Sequence, residues 1–345
     1  LPIVRSRLER VEEKVIRNVV ADGWGLSIGE LRYVPEGGGA YHWTARGDGA
    51  RRWFVTCDDL DTKPWLGSDR DAVFAGLLAA YAAAIALRAT GLSFVAAPIA
   101  TVCGAPAERI DERHSVSVFE YVDGEPGRWG APVGSRECGE LVTMMARLHR
   151  ATPGAHHVPH RGLEVAGRDG LEAALTELAR PWDGGPLSEL ARRELAGHFD
   201  GVVRWLTELD RFAHELGATD GERVVTHGEL HPGNLIRTGT GLVLVDWDTV
   251  ALARPERDLW MIVDADGTVV SAYRDLTGVA LDREALTAYR LLWALTDVAA
   301  FTLQLRGGHR RDADVERALT GLCSILDGRE PRPYVAPTRR DAAHP

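Results

Sequence analysis

Residues 223–248 constrain this chain more than any other stretch. Two short apolar runs, Arg223–Thr226 and Leu242–Asp246, have the length and composition of strands. Between them stands Thr226-His227-Gly228-Glu229-Leu230-His231-Pro232-Gly233-Asn234, where Gly228 and Pro232 disfavour a helix. Any fold that accepts this segment must therefore hold a polar loop between strands. That loop presents a carboxylate at Glu229, an amide five residues later at Asn234, and a second carboxylate at Asp246 where the next strand ends. An ordinary Asx- and Gly-rich turn explains such a run poorly, because four separately spaced elements coincide. A zinc site on His227 and His231 is also disfavoured, since a His-Glu-x-x-His site requires a helix.

The spacing suits phosphoryl transfer. That chemistry needs an acceptor for the proton of a hydroxyl nucleophile and hard oxygen ligands for magnesium on the nucleotide phosphates. Glu229 supplies the first, and Asn234 with Asp246 the second.

The rest of the chain is organised around this segment as an α+β protein. At 345 residues, 45% hydrophobic and 26% charged, it has globular composition and room for two lobes. Apolar spacing predicts an opening helix over residues 5–21, then strands Leu26–Val34, Ala40–Arg46 and Arg51–Cys57, with the turn Glu36-Gly37-Gly38-Gly39 between the first two. An Ala-rich helix over 72–87 follows, capped by Ser68 or Asp69 and ended by Gly91, and then a strand Val116–Val122. The breaker cluster Asp123-Gly124-Glu125-Pro126-Gly127 divides a small β-rich lobe, 1–122, from a larger helical lobe, 123–328, with a loose tail over 329–345. Helices are expected over 137–150, 170–180, 187–216 and 283–306.

The formal charge of −10 argues against nucleic acid, whose phosphates need clustered cations, and suits a small, polar or cationic partner. Four scattered cysteines without paired spacing point to a reducing compartment. Arg5, Arg7 and Arg10 lead into a charged amphipathic stretch, so no leader is expected there, and the Ala-rich run reads as too short and too weakly apolar to span a membrane. The expectation is a soluble cytoplasmic protein; oligomeric state is not legible.

The blocks His227-Gly228-Glu229-Leu230-His231-Pro232-Gly233-Asn234 and Val245-Asp246-Trp247-Asp248 resemble the signature of the aminoglycoside phosphotransferase family, His-Gly-Asp-x-His-x-x-Asn followed by Ile-Asp-Trp-(Asp/Glu). Pro255-Glu256-Arg257-Asp258-Leu259, Leu148-His149 and the strand ending in Val122-Asp123-Gly124 are similar to further family elements, so the likeness covers roughly residues 25–310. The resemblance implies a two-lobed, protein-kinase-like fold. It also implies magnesium-dependent transfer of a γ-phosphoryl group from ATP or GTP to a hydroxyl of a small molecule. On it, Glu229 takes the base position and His227 orders the loop. Asn234 and Asp246 hold magnesium, and Asp258 braces the loop. Gly37, Gly38 and Gly39 admit the phosphates, although an ordinary hairpin turn explains three glycines nearly as well. Asp248, Asp264, Asp266, Trp293 and Asp297 are candidates for the acceptor pocket.

Three departures stand out. Glu229 replaces the family's Asp, and its extra methylene moves the carboxylate by about an ångström, a displacement that can cost on the order of a hundredfold in rate. Thr56 occupies the third-strand position of the family's phosphate lysine, and the following helix offers no acid to pair with one. The chain has only two lysines, Lys14 and Lys63; Lys63, Arg51 and Arg52 are the candidates to take over on the phosphates. These departures keep a second class open, a kinase-like protein that binds, or does other chemistry, without phosphoryl transfer. A third reading keeps the chemistry but moves the acceptor to a Ser or Thr of a modified peptide. Asp58, Asp59 and Asp61 read as a solvated turn, Cys57 as a buried inert thiol, and His156, His157 and His160 as a solvated loop.

Overall fold

A computed structural model describes residues 11–35, 39–47, 49, 51–152, 158–217, 221–263 and 266–329. The expectations for residues 5–10, Gly37, Gly38, His156, His157, Asp264 and the tail beyond 329 lie outside them.

An antiparallel five-stranded sheet forms the N-terminal region, in the order β1 (Glu30–Val34), β2 (Ala40–Arg46), β3 (Arg52–Asp59), β5 (His114–Glu120), β4 (Glu108–Arg109). Strand alternation decides what each face carries. Trp53, Val55 and Cys57 of β3 pack with Ile16, Val20 and Trp24 of α1 (Glu13–Trp24), leaving Thr56 and Asp58 on the other side. The opening helix is thus shifted toward the C-terminus of its expected span. The first strand starts four residues later than expected, because its pairing register begins at Glu30 opposite Arg46, the last residue of β2.

Helix α2 (Arg70–Ala89) follows, its first turn capped by Asp69, which accepts from Ala72 N at 2.9 Å. It is 20 residues long, and by length and composition alone it could cross a membrane, which corrects the expectation that it is too short. Its buried residues, Leu77 and Ala84 among them, place it as a core helix here.

Beyond the sheet the chain is mainly helical: α3 (Ser135–Arg150), α4 (Arg168–Thr176), α5 (Ser188–Gly197) and α6 (Phe199–Gly217), then α8 (Thr268–Thr277), α9 (Arg283–Arg306) and α10 (Ala313–Leu326). The single helix expected over 187–216 is two, because His198 leaves helical geometry (φ −111°, ψ 12°) between α5 and α6. Helix α9 is the spine, packing against α4, α5, α6 and α10 around Leu295, Val298 and Leu305.

Two small sheets lie between α6 and α8. Strand β7 (Val224–Thr226) pairs with β10 (Ala251–Ala253). Strands β8 (Leu235–Thr238) and β9 (Gly241–Leu244) form a hairpin, and β6 (Glu125–Pro126), in the segment that follows β5, pairs with β8. The chain leaving α2 also binds this hairpin, through Ala96 N to Leu244 O (3.0 Å) and Leu244 N to Phe94 O (2.8 Å). The N-terminal sheet is therefore joined to the helical region at the hairpin that bears the polar loop.

Candidate active site

Asp258, in the one-turn helix α7 (Glu256–Leu259), has no solvent exposure. Its carboxylate accepts from two successive loop amides, His227 N at 2.9 Å and Gly228 N at 2.6 Å, and bonds His149 Nε2 at 3.1 Å. His149, near the end of α3, is held in turn by Tyr273 Oη at 2.7 Å. Burial pushes the Asp258 carboxyl up, but the His149 bond and the neighbouring charges outweigh it, leaving the pKa below the ordinary value. The loop can follow this path only because Gly228 adopts φ +96°, where a Cβ would also run into the Arg257 guanidinium.

His227 is locked beneath the loop. Its Nδ1 receives the Glu229 amide (3.2 Å), so Nε2 carries the proton and donates to Val245 O (2.9 Å). Burial lowers its pKa to about 4, and the ring edge meets Trp247 with centroids 4.7 Å apart. With both nitrogens engaged, His227 orders the loop and is unavailable to a metal.

The hairpin brings the remaining groups together. Leu235 pairs with Leu244, and Val245 N donates to Asn234 O at 2.9 Å, so residues 234 and 245 face each other at the open end. Asp246 comes next. It is past the strand rather than at its last position as expected, and it is the only non-glycine residue among those described with positive φ (+67°). A non-glycine residue held there is costly, and such strain collects at functional sites. Asn234 Nδ2 donates to Glu229 O at 3.1 Å, which leaves its Oδ1 for another partner. The Asp246 carboxylate and Asn234 Oδ1 are hard oxygen donors that fit a magnesium ion, whereas no three His, Cys, Asp or Glu side chains converge as a metal site among the described residues.

Glu229 is 6% exposed, and its Oε2 is buried without a hydrogen-bond partner. Desolvation, and then the charges of Asp248 and Asp297, push its carboxyl up to about 7. His231, whose Nε2 is 4.0 Å from Glu229 Oε2, is kept neutral by burial, its pKa falling to about 3. It meets Trp129 edge-on (centroids 4.5 Å apart), and Trp129 stacks on Trp293 of α9 at 6.0 Å. An aromatic wall thus flanks the carboxylate. Trp293, a candidate for the acceptor pocket, is part of this wall; Trp129 and His231 were not among the candidates for it.

Around Lys63 the structure departs most from expectation. Asp58 and Asp59 are buried, not solvated, and Lys63 is buried with them. Lys63 Nζ is 2.5 Å from Asp248 Oδ2 and 3.1 Å from Asp58 Oδ1. Burial works against its charge, but Asp248, Asp58 and Asp246 more than offset that, raising its pKa. Asp59 pairs with Arg113 at 2.6 Å, and Asp61 alone of the three is exposed, bonded to Arg70. Thr56 is buried on β3, with Oγ1 3.3 Å from His42 Nδ1. Arg52 is drawn to Asp123 and stacks over Tyr121, away from this cluster. Helix α2 offers no acid to Lys63: Asp71 pairs with Arg109. Asp248, expected on the acceptor side, is bonded to Lys63 instead. Asp297 is buried (8% exposed) near Glu229, whereas Asp266 is exposed and accepts from Thr268 N and Oγ1 at the start of α8. Cys57 is fully buried, as expected. Strand alternation was the available signal for Asp58, since it shares its face with Thr56; nothing in the sequence pairs Trp129 with Trp293.

The braced loop, the strained aspartate at the hairpin end and the buried carboxylate stand in a protein-kinase-like, α+β fold. Residues 43–301 match the phosphotransferase enzyme family, and the chain belongs to it. It is 29% identical over 298 residues to Protein StrN of Streptomyces griseus, covering 82% of this chain and 85% of that one. Among solved structures it is similar to a spectinomycin phosphotransferase, APH(9)-Ia, in complex with ADP and spectinomycin (TM-score 0.69, 13% identity, 92% of this chain and 98% of that one). It is also similar to the choline kinase LicA of Streptococcus pneumoniae (TM-score 0.56, 17% identity, 90% and 99%).

Two outcomes follow. Gly228→Ala should destabilise the protein by about 2 kcal/mol or more and disorder the loop, read by denaturant unfolding; wild-type stability would contradict the brace. Folded Glu229 keeps its proton to about pH 7, whereas an ordinary glutamate releases it near 4.5, so its contribution to stability falls as pH rises between the two values. Glu229→Gln should thus be more stable than wild type at pH 8 by on the order of 1–3 kcal/mol, and this gain should shrink by pH 5. An equal difference at both pH values would contradict the buried, proton-holding carboxyl.

Proposed function

We propose that this chain transfers the γ-phosphoryl group of a nucleoside triphosphate, with magnesium, to a hydroxyl of a small polar or cationic molecule. The observation that supports the reading is the end of the hairpin, where Asn234 O accepts from Val245 N, the residue before Asp246, while Asn234 Nδ2 bonds Glu229 O. Asn234 and Asp246 would hold the metal, which when bound supplies positive charge to the phosphate oxygens as charge develops on them.

Glu229 orients the acceptor hydroxyl and takes its proton. A carboxyl with a pKa of about 7 is well matched to that task near neutral pH. Its unpaired Oε2 is the atom left to receive the proton. His227 and Asp258 touch no reactant in this scheme; they fix the loop so that Glu229 does not wander. The acceptor lies along Trp129, His231 and Trp293, where ring faces stack on a saccharide or cyclitol and the nearby Asp297 favours a cationic group. Support for such an acceptor comes from the spectinomycin and choline named for the structural relatives and from the chain's charge of −10.

Nucleotide then lies toward the region 1–122, and acceptor toward the helical region 123–328. ATP and GTP are the candidate co-substrates. No nucleic-acid or membrane partner enters this scheme, and the cytoplasm, where nucleoside triphosphates are held, is the compartment that it requires.

Asp246→Asn and Glu229→Gln should each lower phosphoryl transfer by about 10²–10⁴-fold while the protein stays folded, measured with ATP or GTP against a panel of amino-alcohol and cyclitol acceptors. Glu229→Asp should retain measurable turnover. Undiminished transfer by Asp246→Asn would overturn the metal assignment.

A further inference from the structure

Lys63 is a buried ammonium with an unusual address. It lies just beyond the 3-10 turn Leu60–Thr62 that links β3 to α2, and it is 2% exposed. An ionised lysine is buried only where carboxylates compensate it, and here Asp58 comes from β3 and Asp248 from the turn after Asp246. Three further observations bear on its role.

The first is position. The connector is laced to the glycine turn, with Thr62 Oγ1 donating to Gly39 O at 3.1 Å, and a Cβ built on Gly39 would lie 4.0 Å from Lys63 Nζ. The ammonium therefore lies close to Gly39, where β2 is about to begin, and beside the proposed metal-holding segment through Asp248. The second is charge. Asp58, Asp246, Asp248 and Glu229 make this cluster acidic, so a triphosphate brought to it needs a cation besides magnesium. Lys14, the chain's other lysine, is exposed on α1. The third is incomplete satisfaction. Asp248 Oδ1 and Asp58 Oδ2 are buried without a hydrogen bond, and Asp58 Oδ1 meets only the ammonium, so the cluster is short of positive charge and donors as it stands. A lysine present only to neutralise these acids would do so poorly.

We infer that Lys63 is the phosphate-gripping cation of this chain, carried on the β3–α2 connector and oriented by Asp58 from the strand. The strand thus holds the acid and the connector the lysine. Asp248 keeps the ammonium in place until phosphate arrives, when Nζ turns to the triphosphate while Asp58 retains its hold. The inference rests on the phosphotransferase reading above and adds to it a phosphate contact. Thr56 shares with Asp58 the face of β3 that looks toward this cluster, so a lysine placed at 56 would enter the same space.

Titration calorimetry on the full chain tests this, with magnesium–ATP and adenosine as separate probes. Lys63→Met should weaken magnesium–ATP binding at least about tenfold and leave adenosine binding within about twofold, because adenosine has no phosphates. Lys63→Met with Asp58→Asn removes a stranded buried charge and should show the same selective loss if the single variant folds poorly. Lys63→Arg, or Thr56→Lys added to Lys63→Met, should restore part of the affinity. Wild-type affinity for magnesium–ATP in the double variant, or an equal loss for adenosine, would overturn the inference and leave Lys63 a structural counter-ion. A wild-type chain that binds adenosine but gains nothing from the phosphates and magnesium would overturn the phosphotransferase reading and this inference together.

Discussion

The fully buried carboxylate of Asp258 holds the site together. Two consecutive backbone amides of the loop and one histidine converge on it, so one side chain sets the path of residues 227–229. The arrangement is demanding, because a buried carboxylate is tolerated only when its lone pairs are occupied. Gly228 must take a left-handed backbone, His227 must take the tautomer that accepts from Glu229 N, and Tyr273 must secure His149. With those conditions met, Glu229 is fixed at one end and the β8–β9 hairpin presents Asn234 and Asp246 at the other.

Electrostatics make the same region costly for the empty protein. Asp248 and Asp297 repel the desolvated Glu229 carboxylate, and Asp246 sits in a strained backbone well. Stability is given up at these positions, as expected where groups are arranged for reaction rather than for folding. Lys63 is what makes the cluster tolerable, tying the N-terminal sheet to the turn after Asp246 through one ammonium. The lysine missing from β3, the absent acid on the next helix and the Asp-to-Glu change keep open a kinase-like protein without phosphoryl transfer; on the inference drawn for Lys63, the first of these no longer argues for it.

Local signals carried far in this sequence. The β2–β3 hairpin, the Ala-rich helix with its Asp69 cap, helix α9 at its full length and the order of sheet before helices were legible because each has strong periodicity or a capping residue. The loop block was legible because its chemistry requires fixed spacing along the chain. What escaped is non-local. Asp58, Asp59 and Lys63 look like a hydrophilic turn, and only their partners Asp248 and Arg113, far away in sequence, reveal that they are buried. The wall of Trp129, His231 and Trp293 joins three distant segments in the same way. Helix 187–216 was overcalled because its apolar pattern runs on through the break at His198.

The most direct measurement is titration calorimetry of the purified chain with ATP and GTP, each with and without magnesium. Magnesium-dependent, micromolar binding of at least one nucleotide that is lost in Asp246→Asn is the result expected of a metal held at the hairpin end. Binding of neither nucleotide, or binding indifferent to both magnesium and Asp246, would contradict phosphoryl transfer at this site.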